Sequence, residues 1–102
     1  MGLFDLFGKS TKMAEGLAKA AETSGAVILD VRNPLEYRGG HIPGSINIPL
    51  DRVHTIKITK ESPLFVYCHS GSRSAHAVAL LKRNGYEATN IGGIVSYKGP
   101  LE

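Results

Sequence analysis

Two short apolar runs set the architecture of this chain. Ala26-Val27-Ile28-Leu29 and Leu64-Phe65-Val66-Tyr67 are each continuous and each bounded by polar or turn residues. An alternating pattern marks a strand with one wet face, whereas a continuous run suits a strand buried on both faces, as in a parallel sheet. A run of four residues is also too short for a helix. Parallel strands need crossover connections, and helical segments occur where crossovers are required. Ser10 or Thr11 caps a helix running to about Thr23, with Met13, Leu17, Ala20 and Ala21 at helical spacing. Asn33 and Pro34 start a short helix that Gly39-Gly40 stops. A third helix spans Ala75 to Asn84, closed by Gly85. Ser45 to Ile48 and Glu87 to Ile91 read as further strands, and Leu50 to Ile56 as a brief helix. The expectation is an α/β domain around a parallel sheet.

In such sheets ligands bind beyond the carboxyl ends of the strands. Asp30 follows the first run and Cys68 the second. Cys68 is the only cysteine, so no internal disulfide is possible, which fits a reducing, cytoplasmic setting and a free thiol. It leads directly into His69-Ser70-Gly71-Ser72-Arg73-Ser74 and then into a helix. A helix N-terminus and a ring of backbone N–H groups stabilise both a thiolate and a bound anion. Gly71 permits positive φ, which lets several N–H groups converge, and the Arg73 fork suits an oxyanion. No His-Asp pair stands out as a general base. A thiolate formed by local electrostatics needs none, which favours sulfur or phosphoryl transfer over proteolysis.

Bulk properties narrow the field. With 102 residues and 42% apolar content the chain suits one modest core. The net charge of +3 is spread without a Lys/Arg block, so nucleic acid is not the expected partner. No stretch approaches a membrane span. Residues 1–9 read as an apolar arm that packs on the domain or on a partner, and residues 10–100 as the domain. Gly2 is not a convincing myristoylation site, because Leu6 stands where Ser or Thr is required. Cys68, His69 and His76 match no common zinc spacing, so no metal is expected. Asp30 and Arg32 read as a strand-end brace, Tyr67 as packing, and Glu36 with Arg38 as a solvated helix face.

Three motifs, in order, resemble those of the rhodanese-like domains, which pass a sulfane sulfur through a cysteine persulfide. They are Ile28-Leu29-Asp30-Val31-Arg32 with Glu36-Tyr37, then Gly40-His41-Ile42-Pro43-Gly44-Ser45 through Pro49, then Val66 to Ser74. The resemblance covers about residues 11 to 99. It implies a five-stranded parallel sheet flanked by helices and a persulfide on Cys68. It also implies a cradle of N–H groups from His69, Ser70, Gly71, Ser72, Arg73 and Ser74, with Arg73 orienting an incoming anion such as thiosulfate. Phosphatases and arsenate reductases of the same fold carry a loop one residue longer than Cys68–Arg73, which makes them the lesser reading. With a single domain the loop is expected to be open and accessible to a protein acceptor. A persulfide carrier fed by a protein partner is the alternative. No cofactor is implied.

Overall fold

A computed structural model describes residues 11–102, so the apolar arm expected over residues 1–9 lies outside the described residues. Helix α1 spans Lys12–Ala21, and Thr11 caps it by accepting the Ala14 N–H at 3.0 Å. Strand β1 is Val27–Asp30, helix α2 Pro34–Arg38 and strand β2 Ile46–Asn47. A 3-10 segment follows over Leu50–Thr55, where a brief helix was expected. Strand β3 is Leu64–Cys68, helix α3 Ser72–Arg83 and strand β4 Ala88–Gly93.

The sheet order is β2-β1-β3-β4, all parallel. The described residues therefore form four strands, not the five implied by the family resemblance. Four is also the number of strand-like runs that the residues themselves present. β1 and β3 are the two central strands, which is why they are the two continuous apolar runs.

Side-chain alternation along β3 assigns each residue to a layer. Leu64, Val66 and Cys68 face the layer of Ala77, Val78 and Leu81 from α3. Phe65 and Tyr67 face the opposite layer, with Met13 and Ala20 of α1 and Ile91 of β4. All five residues of β3 are buried. Cys68 is thus aimed at the face on which α3 packs, so its sulfur meets the start of that helix.

Two local devices shape this end of the sheet. The β3–β4 register shifts between Val66, opposite Asn90, and Tyr67, opposite Gly92, which leaves Ile91 as the extra residue of a bulge. The Asp30 carboxylate accepts the Arg32 backbone N–H at 2.8 Å and a two-pronged guanidinium contact whose shortest distance is 2.7 Å. Arg32 also donates to the Gly40 carbonyl at 2.7 Å. This buried brace is the one expected from the sequence, and it fixes the exit of β1 against the His41 turn.

Candidate active site

The loop between β3 and α3 is shorter than the sequence pattern suggested. Helix α3 starts at Ser72, three residues before the expected Ala75, because Gly71 sits at its N-cap with φ of 106°. That angle belongs to the region glycine tolerates and L side chains rarely adopt. It turns the chain so that the first N–H groups of α3 point back at β3. The Gly71 N–H donates to Cys68 Sγ at 3.0 Å and the Ser74 N–H at 3.3 Å.

Ser74 Oγ lies 3.4 Å from the sulfur. Its single proton also has Asn90 Oδ1 at 2.7 Å and the Gly71 carbonyl at 3.1 Å as acceptors. The dependable donors to sulfur are therefore the two backbone N–H groups. Burial pushes the Cys68 thiol up. The donors from Ser74, Gly71 and Ser70 outweigh it, and the thiol pKa lies below its ordinary value. This is the electrostatic activation expected where a thiol faces a helix N-terminus.

Asn90 closes the loop from β4. Its side-chain amide donates to the Gly71 carbonyl at 3.1 Å, and its Oδ1 accepts from Ser74 Oγ and from the Gly92 N–H at 2.9 Å. The sequence reading missed Asn90. The available signal was an Asn inside a strand, where that residue is disfavoured. Gly93 is needed for close approach: a Cβ there would stand 2.2 Å from the His69 carbonyl oxygen.

Arg73 does not reach into the cradle. It forms a two-pronged ion pair with Glu36, at 2.7 and 3.0 Å. Glu36 is therefore not the solvated helix face expected of it. Its carboxylate also accepts the Asn33 N–H at 3.0 Å, while Asn33 Oδ1 accepts the Glu36 N–H at 2.8 Å, a reciprocal capping box. Hydrogen bonding from Arg73, the largest influence, holds the Glu36 carboxyl down at about 2.

The loop is open only at its rim. His69, Ser70 and Ser72 are exposed, whereas Ser74 and Cys68 are buried, with Cys68 at 0% exposure. The expectation of an open loop thus holds for the rim and not for the sulfur. A groove of about 400 Å³ beside it is bordered by Glu36, His69, Ile94 and Leu101. Another, of about 520 Å³, is bordered by Leu50, His54, Arg73 and His76. A third groove, of about 700 Å³, holds none of the loop residues.

Tyr67 is structural, as expected. Its hydroxyl accepts the Ile42 N–H at 3.1 Å and shares a proton with Ser45 Oγ at 3.2 Å. Burial pushes its pKa up to about 12.

Comparison with known proteins accords with this geometry. Residues 13–99 match the Rhodanese-like domain family. The chain belongs to the rhodanese-like family. A solved rhodanese-like domain protein from Staphylococcus aureus superposes with a TM-score of 0.76 and 31% identity, covering 90% of this chain and 93% of that one. Thiosulfate sulfurtransferase PspE of Escherichia coli is 38% identical over 65% of this chain and 68% of its own. The putative sulfur carrier protein YrkF of Bacillus subtilis is 39% identical over 59% of this chain, which spans 34% of that relative. The chain likewise spans 64% of uncharacterized protein YqhL of Bacillus subtilis, at 38% identity. Relatives of this rhodanese-like domain thus include sulfurtransferases. No described helix is long and apolar enough to cross a membrane.

Proposed function

We propose that this rhodanese-like domain is a sulfurtransferase that moves a sulfane sulfur, from thiosulfate or a persulfide donor, to a thiophilic acceptor through a persulfide on Cys68. In the first step the Cys68 thiolate attacks the outer sulfur of thiosulfate. A sulfur–sulfur bond forms to Cys68, the donor's own bond breaks, and sulfite leaves with the electron pair. In the second step a nucleophile such as cyanide or a thiol attacks the outer sulfur of the persulfide, and the thiolate returns. Neither step needs a metal or an organic cofactor.

The observation that carries this reading is the pair of N–H donors, from Gly71 and Ser74, converging on Cys68 Sγ at a helix N-terminus. The N–H groups of His69, Ser70, Ser72 and Arg73 follow the same turn and form the cradle for the added sulfur. Cys68 is the nucleophile, and Arg73, paired with Glu36, stands at the rim of the loop. Six residues from Cys68 to Arg73 make a cradle that suits one extra sulfur atom better than a phosphoryl group.

The first measurement is thiocyanate production from thiosulfate and cyanide by the reduced protein. Turnover supports the reading, and its absence in folded protein argues against a self-sufficient enzyme. Cys68→Ser is expected to abolish transfer with the far-ultraviolet circular dichroism unchanged. Retained activity in that variant would remove Cys68 from its role.

The full burial of Cys68 and the likeness to a putative sulfur carrier favour a second reading, a persulfide carrier loaded by a protein donor. That carrier accepts sulfur from a persulfidated protein and turns over thiosulfate poorly.

A further inference from the structure

We propose that Glu36 is a specificity-determining residue: by holding the Arg73 guanidinium in a two-pronged ion pair, it withholds that cation from a dianionic donor and makes the site select hydropersulfides over thiosulfate. The proposal deepens the sulfurtransferase reading and rests on it for the attacking atom.

Geometry supplies the first support. Arg73 Nη1 and Nη2 are both engaged by Glu36. The carboxylate cannot swing aside freely, because the same Oε1 closes the cap at Asn33 N. Arg32, the other guanidinium whose field reaches Glu36, is already joined to Asp30. Both guanidinium groups that reach Glu36 are therefore matched by a carboxylate, and the donors that meet Cys68 Sγ are N–H dipoles.

Stability does not account for the pair. The side chains of Arg73 and Glu36 are 38% and 29% exposed. Partly exposed ion pairs contribute little to folding. The pair nevertheless stands at the rim, with Glu36 bordering one groove beside the loop and Arg73 the other.

Charge then decides between donors. Thiosulfate brings a dianion to a thiolate and releases sulfite, a dianion, so it needs a cation at approach and departure. A hydropersulfide in its protonated form, R–S–SH, is uncharged at the reacting sulfur. The thiolate attacks the terminal sulfur, a sulfur–sulfur bond forms to Cys68, and R–S⁻ leaves with the electron pair. The proton stays on the transferred sulfur, and one negative charge is present before and after. That reaction is served by N–H dipoles without a free guanidinium.

The test is Glu36→Gln, which removes the charge while its amide oxygen keeps the cap at Asn33. Steady-state rates are measured with thiosulfate and with 2-hydroxyethyl hydropersulfide as donors. The variant is expected to lower the thiosulfate KM about fivefold, the range of a partly exposed charge contact, with kcat and the hydropersulfide KM within about twofold. An unchanged thiosulfate KM, or equal changes for both donors, overturns the proposal. Thiosulfate binding by calorimetry in a Cys68→Ser background gives a readout independent of turnover, and the added Glu36→Gln change is expected to tighten it by the same factor. Tighter binding without turnover of either donor by the Cys68 proteins would uphold the charge assignment while overturning the sulfur-transfer reading. Should Glu36→Gln fail to fold, Arg73→Gln leaves Glu36 unmatched and is expected to weaken thiosulfate binding more than hydropersulfide binding; equal loss for both donors overturns the proposal.

Discussion

Cys68 occupies a position where two opposing effects act on one atom. Burial at the end of a central strand disfavours the thiolate, and converging N–H dipoles favour it. The dipoles prevail, so the pKa lies below the ordinary thiol value. The sign has a kinetic consequence. The acid limb of the kcat/KM profile for the donor is expected to inflect below that ordinary value, with activity falling as pH falls through the folded pKa. An inflection at or above it would contradict the assignment. Linkage adds a thermodynamic one: a depressed pKa contributes stability above the unfolded value, and this is lost as pH falls through the folded value. The difference in Tm between the parent and Cys68→Ser is therefore expected to grow with rising pH.

At the scale of elements, the junction between β3 and α3 depends on Gly71. Its φ of 106° aims two N–H groups at the sulfur, and a Cβ there would lie 3.6 Å from the Gly92 backbone. Space alone permits alanine; the backbone conformation does not. Gly71→Ala is expected to cost about 1–3 kcal/mol. In a domain of this size each kcal/mol lowers Tm by about 4–8 °C. The thiol pKa is expected to rise in the same variant as the 3.0 Å donor is displaced, which thiolate ultraviolet absorbance against pH can follow. A stable variant with unchanged titration would show that the loop holds its shape without glycine. Helix α2 teaches a related lesson. Its cap was legible at Asn33-Pro34, but Glu36, which closes the capping box, has its ion-pair partner 37 residues away, on α3. Local sequence carries helix caps because their partners are local. It does not carry an ion pair between helices.

At the scale of the whole molecule, the Asp30–Arg32 brace holds the strand ends against the turn at Gly40 and His41. Both side chains are almost fully buried, at 0% and 6% exposure. A buried pair adds little when intact, yet removal of one partner strands the other charge. Asp30→Asn is expected to cost about 3–5 kcal/mol, seen as a large fall in Tm or in the denaturant midpoint. A loss below about 1 kcal/mol would mean that solvent or Gly40 suffices to hold Arg32. This brace also places α2, and with it Glu36, beside the loop. A failure at β1 would reach the sulfur site through that path.

Sequence by itself determined the alternation of strand and helix, the parallel sheet, the strand end that bears Cys68 and the loop that follows it. Those features are written in contiguous residues, since apolar runs, caps and turn glycines act over a few positions. The strand count among the described residues also followed from the residues more closely than from the resemblance. Tertiary structure alone decided the rest. It drew Asn90 onto the loop through a bulge in β4, buried the sulfur beneath an exposed rim, and gave Arg73 to Glu36 instead of to the cradle. Each of these depends on where distant segments meet, and a long flexible side chain such as Arg73 goes to whichever carboxylate the packing brings within reach.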